Sequence, residues 1–591
     1  MNYYRSTEET LRLSLVARGE QGADLALINA TLLNVYTGEL LERYTVCIWK
    51  KWIAYVGDDP KGSIRKETRV VDVDGKVLIP GFLDAHTHLA WLCTPYEFLK
   101  HAIAGGTTTI VTETLEPYPV AGLAGVIDFL ESLKNQPVKI FATAPPMVSI
   151  SAGASAISIE DLKELLKREE VLGLGESYWQ AVLQHPELYL PILTEALRCG
   201  KKLEGHTAGA SGKKLMSYLT AGISSCHEPT RAEEVLQRLR LGIYVMIREG
   251  SIRRDLAQIS KIKDKGVDFR RLVLVSDGLE PAELMEKGYM EYIVQKAVDC
   301  GFDPVSAVQM ATLNPAEHFG LDHLIGGIAP GRFADLSIIA NLNTLHAECV
   351  ISNGKIVAEK GVVLKSPTPH RFSQESLNSI PITQRLKPED FRITPPLVSN
   401  EIAVRVIEMV SDLVTQEVVL NVPIQNGSIR VDTSRDILKV AAVDRTLCPG
   451  KIFTGLIRGF RMKSGALACS AAWDTTNIIV VGADEVDMAT AVNRVIELQG
   501  GAVLCRNEKI LQELALPIFG IMSDEPLKDI ARKVQGISKN ASKLGIPFRN
   551  PVLTLITLTG AAIPFLRICE QGLVNLRDGK TVGLFVNDRE E

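Results

Sequence analysis

The sequence predicts an α/β protein organised around a (β/α)8 barrel. A small β-sandwich built from both flanks of the barrel and a C-terminal α/β domain complete the expected architecture. Three observations carry this reading. Residues 79–325 alternate apolar strand-like runs with amphipathic stretches eight times, and eight βα repeats in roughly 250 residues is the arithmetic of such a barrel. Two β-rich segments, 1–78 and 326–365, bracket that region and read as halves of one small sheet unit. A third region, 397–591, has strands and helices of its own.

Within the first segment, DLALINATLLNV and TVCIWKKWIAYVG show period-2 alternation broken by Thr37-Gly38, which suits an antiparallel sheet packed on one face. The same character returns at ADLSIIANLN (334–343) and CVISNGKIVAEKG (349–361), with Asn353-Gly354 as a hairpin turn. Because the chain leaves this sheet and comes back, the barrel is an insertion. Its strand candidates are VLIPGFLDAHTH (77–88), TTTIVTE (107–113), KIFATAP (139–145), VLGLGES (171–177), KLEGHTA (202–208), GISSCHE (222–228), YVMIRE (244–249) and RLVLVSD (271–277). Stretches such as SIEDLKELLKREE and TRAEEVLQRLRLG between them have apolar residues at helical spacing. A doubly wound open sheet is the rival, but it needs no ring of polar residues at its strand ends. Residues 366–396, rich in Pro, Ser and charge, read as a linker. Beyond it, strands are expected at EIAVRVIEMV, DILKVAAV and NIIVVGA, and helices at DEVDMATAVNRVIEL and PLKDIARKVQGISKNASKLG.

Composition removes several classes of function. The chain has 591 residues and a formal net charge of −5, so no basic field is available for nucleic acid or an anionic membrane. No run reaches the ~18 apolar residues of a spanning helix, and Met1–Gly22 lacks the apolar core of a signal peptide. The ten cysteines stand singly, with no CxxC pair, which argues against a disulfide scaffold or a thiolate zinc site. A cytoplasmic globular protein with a small-molecule partner is the expectation.

The chemistry lies at the strand ends, which converge on one mouth in a barrel. The first strand candidate ends in His86-Thr87-His88, and alternation turns both imidazoles to one side. Later strands end in Glu176, His206, His227 and Asp277. Taken singly, each has a plain structural reading: a satisfied histidine pair, an ion-paired acid, core histidines, a helix N-cap. Their joint placement selects a metal site. Imidazole with carboxylate suits Zn, Fe or Mn, and four histidines with two carboxylates suffice for two ions sharing one carboxylate. Arg248, Glu249 and Ser251, after the seventh strand, sit where substrate is read, although a structural ion pair explains the two charges equally well. The zinc nucleobase-deaminase signature and a serine-nucleophile elbow are both absent.

The stretch PGFLDAHTH, followed by glutamate, histidine, histidine and aspartate on later strands, is similar to the amidohydrolase superfamily of metal-dependent hydrolases. More narrowly, residues 206–251, VQMATLNPAEHFGL (308–321), GGIAPGRFADL (326–336), NIIVVGADEVDMATAVNRVIELQGG (477–501) and PIFGIMSDEP (517–526) resemble the adenine deaminase family. That resemblance implies that His86 and His88 bind a first metal, that Glu176 bridges, and that His206 and His227 bind a second. It makes Asp277 a ligand and proton shuttle, so that Asp277 and Glu176 are the catalytic carboxylates. It also implies Mn2+ or Fe2+, with Zn2+ as an alternative, about two per chain, and a homo-oligomer. The implied reaction is adenine plus water giving hypoxanthine and ammonia.

Three departures bear on the substrate. Ala90 replaces an acidic residue two positions after the HxH motif, TETLEPYPV (112–120) replaces an Asp-Pro-His-Glu loop, and Trp473-Asp474-Thr475-Thr476-Asn477 replaces a motif with two histidines. The alternatives are therefore deamination of an N6-substituted adenine, ring opening or cyclic-amide hydrolysis of a related heterocycle, and a non-catalytic descendant of the fold.

Overall fold

The computed structural model describes residues 4–151, 156–396, 399–563 and 565–586. Eight parallel strands form the barrel: β1 (Phe82–Thr87), β2 (Thr107–Thr112), β3 (Lys139–Ala144), β4 (Val171–Tyr178), β5 (Lys202–His206), β6 (Ser225–Cys226), β7 (Tyr244–Arg248) and β8 (Leu272–Val275). Each pairs in parallel with the next in chain order, which disposes of the doubly wound alternative. Closure between β8 and β1 comes from the Asp277 amide, which donates to the His86 carbonyl at 3.1 Å, and from Ser276 Oγ on Asp84 Oδ2 at 2.5 Å. The strands are buried almost throughout, as expected of parallel strands covered on both faces.

The apolar run at 77–88 does not form one strand. Val77–Pro80 joins the flanking sheet and Phe82–Thr87 the barrel, and Gly81 lies between them. A Cβ at Gly81 would stand 2.3 Å from Thr108, so only glycine lets the chain pass from one sheet to the other here. β6 is much shorter than its apolar run suggested, because the backbone leaves the ladder at His227.

The flanking sheet has nine strands drawn from both sides of the barrel. Val77–Pro80 is its seam, parallel to Leu25–Asn34 and antiparallel to Leu336–Asn341. Leu27, Val46, Ile53, Leu336 and Ile351, from before and after the barrel, share one core. Asn353 and Gly354 both have positive φ (51° and 72°), the two-residue hairpin that the dipeptide predicts.

The connector at 366–396 is anchored. Asp128 accepts from Ser373 N and faces His370 Nε2 at 2.7 Å, while Ile380, Ile382, Leu386 and Phe391 are buried in the C-terminal core. That core lies between a nine-stranded, mainly antiparallel sheet and the helix Glu485–Glu497, whose N-cap Asp484 accepts from Asp487 N. A second helix, Leu527–Lys543, packs nearby. The C-terminal region reaches the barrel mouth, where Met522–Ser523 pairs in parallel with Leu92–Cys93. Among the described residues, no helix is long and apolar enough to cross a membrane.

Candidate metal centre

The six strand-end residues meet in one buried cluster. None exceeds 6% exposure, so their mutual field is little screened by water. Glu176 Oε1 lies 3.1 Å from His86 Nε2, 3.4 Å from His88 Nε2 and 3.4 Å from His227 Nε2. Asp277 Oδ1 lies 3.3 Å from His86 Nε2. Two donor sets result, His86–His88–Glu176–Asp277 and Glu176–His206–His227, each with its donor atoms within 4.8 Å of one another. Glu176 belongs to both.

Local backbone explains the placement. His86 and His88 lie two residues apart, while Thr87 between them turns away to bond Ser276 Oγ at 2.9 Å. Asp277 takes a left-handed conformation (φ 55°), followed by Gly278 (φ 96°), so the chain turns sharply as it leaves β8.

The sequence reading missed several neighbours. Glu113 Oε1 is 3.5 Å from His86 Nδ1, Glu116 Oε1 is 2.6 Å from His88 Nδ1, and Glu228 Oε1 is 2.9 Å from His227 Nε2. A signal existed for the first two, since both acids follow β2 directly. Glu228 is adjacent to His227 in sequence. The C-terminal region adds Trp473, stacked on His88 with centroids 4.7 Å apart, and the buried Asp474.

Five buried carboxylates (Glu113, Glu116, Glu176, Glu228, Asp277) face four imidazoles and one guanidinium, Arg248. Burial opposes charge on His86 and His88, yet the surrounding carboxylates raise both imidazoles well above their ordinary range. Burial would likewise raise Asp277, but His86, His88 and Arg248 hold it far below the usual carboxylate range. Glu113, dominated by burial, is pushed up to about 7. A field this negative attracts cations. His88 Nε2, His206 Nδ1, Glu113 Oε2 and Glu116 Oε2 are buried without hydrogen-bond partners, and the imidazole–carboxylate chemistry fits a divalent ion.

Of Arg248, which ends β7, and Glu249 and Ser251 beyond it, only Arg248 reaches the cluster. Its Nη1 is 3.3 Å from Asp277 Oδ2, and its Nη2 donates to Asp255 Oδ2 at 3.0 Å. Glu249 is paired with Lys296 at 2.5 Å, and Ser251 Oγ donates to Glu283 at 2.6 Å. His318 and His370, outside the cluster, are engaged with Glu204 and Asp128, each at 2.7 Å.

A parallel barrel with these donors at its strand ends has the form of an amidohydrolase, and residues 77–357 match the Amidohydrolase family. Residues 412–580 match the adenine deaminase C-terminal domain. An adenine deaminase of Clostridium botulinum (strain Langeland) is 35% identical over 590 residues, covering 98% of each chain. Those of Moorella thermoacetica and Staphylothermus marinus are 35% and 33% identical, again over 98% of each chain. Among solved structures, a β-aspartyl dipeptidase from Fervidobacterium islandicum AW-1 aligns with 58% of this chain and 99% of its own, at 17% identity and TM-score 0.46. The chain belongs to the adenine deaminase family of amidohydrolases.

Proposed function

We propose that this chain hydrolyses adenine to hypoxanthine and ammonia at the Glu176-centred cluster. The observation that carries the reading is the pair of donor sets sharing Glu176, in a chain related to adenine deaminases over nearly its whole length. His86, His88, Glu176 and Asp277 would hold one divalent ion, and Glu176, His206 and His227 a second. Manganese or iron is the metal we favour, with zinc as the alternative. When bound, such ions lower the pKa of water from 15.7 toward ~7, which makes a nucleophile available near neutral pH.

The protein's own groups manage orientation and protons. His86, His88 and Arg248, which faces Asp277 Oδ2, keep this carboxylate ionised, in the form that accepts the proton of the attacking water. As the C6–O bond forms and the C6–N6 bond breaks, Asp277 passes that proton to the departing amine. Glu116 holds the ring of His88 through Nδ1, which fixes its orientation, while Glu228 approaches His227 at Nε2, the nitrogen that also faces Glu176. Trp473 and Trp91 meet edge-on beside the donor cluster.

The proposed division of the chain is 1–78 with 326–365 as the β-sandwich, 79–325 as the barrel, 366–396 as the connector and 397–591 as the C-terminal domain. A homo-oligomer in the cytoplasm completes the proposal. Because Ala90, the 112–120 loop, and Trp473 with Thr476 depart from the family motifs, ring opening of a related heterocycle is the second reading. Product analysis on adenine, N6-methyladenine and a cyclic amide separates them. Equal amounts of hypoxanthine and ammonia from adenine are expected, whereas a carboxylate product from the cyclic amide alone would replace the reading.

A further inference from the structure

Two tryptophans from different parts of the chain meet beside the donor cluster. Trp91 follows the HxH motif by three residues, and Trp473 comes from the C-terminal region. Trp473 lies parallel to His88, at 15° between planes, and meets Trp91 edge-on with centroids 5.5 Å apart. Both indole Nε1 atoms are buried and neither has a hydrogen-bond partner. A buried N–H left unpaired costs about 1–3 kcal/mol, so two at one place beside the reacting centre need an explanation.

The backbone here is held, not slack. Leu92, a bulky residue, has a left-handed φ of 64°, and its amide donates to the Ile521 carbonyl at 3.1 Å. The pairing of Leu92–Cys93 with Met522–Ser523 fixes Trp91 against the C-terminal region. Trp473 is followed by Asp474, which is 4% exposed and accepts from Ala561 N at 2.8 Å. The two indoles are therefore presented by a joint between the barrel and the C-terminal region.

Resting on the adenine reading, we propose that Trp91 and Trp473 are specificity-determining residues whose indole N–H groups donate to ring nitrogens of the purine. The chemistry matches in type, and in number once N1 carries a proton, as it does in hypoxanthine. Hypoxanthine then offers in-plane lone pairs at N3 and N7, and each indole offers one donor and no acceptor. A site with buried donors rejects analogues that lack the acceptors.

Calorimetric binding of hypoxanthine, 3-deazahypoxanthine and 7-deazahypoxanthine to the metal-loaded full chain tests this. The probes are products, so turnover does not interfere. The wild type is expected to prefer hypoxanthine to at least one deaza analogue by about tenfold. In Trp91→Phe or Trp473→Phe that preference should fall to about one, the analogue itself binding nearly as before. Equal weakening of all three ligands would reduce the tryptophans to packing and overturn the proposal. So would an unchanged preference in both variants, or none in the wild type. Ammonia release from adenine by the wild type is scored separately. An enzyme that releases ammonia but shows flat ratios keeps the reaction and loses this inference. One with the ratio pattern but no ammonia keeps the base recognition and loses the reaction.

Discussion

The indole of Trp473 covers the imidazole of His88, with ring centroids 4.7 Å apart and planes 15° from parallel. One ring belongs to the C-terminal region and the other to the barrel's donor cluster. The C-terminal region is thus a wall of the centre itself.

Removing that wall should damage the site more than the fold. Trp473 is partly buried, so Trp473→Ala is expected to destabilise by about 2 kcal/mol, below the range for a fully buried aromatic. Its kcat/KM should fall at least tenfold, on the order of one lost site contact. Chemical denaturation and turnover on the same preparation check this; normal turnover would place Trp473 outside the working site.

Glu116 is expected to tune metal affinity through His88. With Glu116 Oε1 at 2.6 Å from His88 Nδ1, Glu116→Ala frees the ring and leaves its other nitrogen as a donor. Affinity should drop about 10–100-fold without abolishing binding, as read by titration against a competing chelator. Unchanged affinity would make the contact incidental.

Asp277 separates proton transfer from folding. Asp277→Asn keeps the shape but replaces one acceptor oxygen with a donor and cannot accept the proton, so turnover should fall about 10²–10⁴-fold. Thermal unfolding should shift little by comparison. Turnover at the wild-type rate would remove Asp277 from the mechanism.

A pH-dependent stability effect is expected at Glu280, which accepts from Asn550. Burial, aided by Glu283, raises its carboxyl from 4.5 to about 7. The folded state then holds the proton more tightly than the unfolded chain. Stability is full below 4.5 and declines as pH rises through 7. Glu280→Gln removes that penalty, so it should stabilise by roughly 1–3 kcal/mol at pH 8 and change little at pH 4. Denaturation at both pH values decides it; a gain of the same size at each would show that the carboxyl's ionisation is not the cause.

The barrel and its six strand-end donors were legible because both rest on local pattern. Each strand carries its own apolar run, and each donor sits at the end of one. Glu113, Glu116 and Glu228 were overlooked because an acid at or just beyond a strand end looks the same in sequence whether it faces solvent or a histidine. Trp473 was visible only as a departure from a motif, since its contact with His88 spans 385 positions and depends on how the C-terminal region docks. The split of 77–88 between two sheets was hidden for the opposite reason: an unbroken apolar run gives no sign of which sheet each half joins, and only the Gly81–Thr108 approach marks the crossing.

The central claim is that metal held by the Glu176-centred cluster drives adenine hydrolysis. Ammonia release from adenine, measured while manganese is titrated into metal-stripped protein, tests it most directly. The expected curve rises with bound metal and levels off near two ions per chain, as for a two-metal site. Full activity without metal, or no ammonia from protein carrying its full metal complement, would contradict the account.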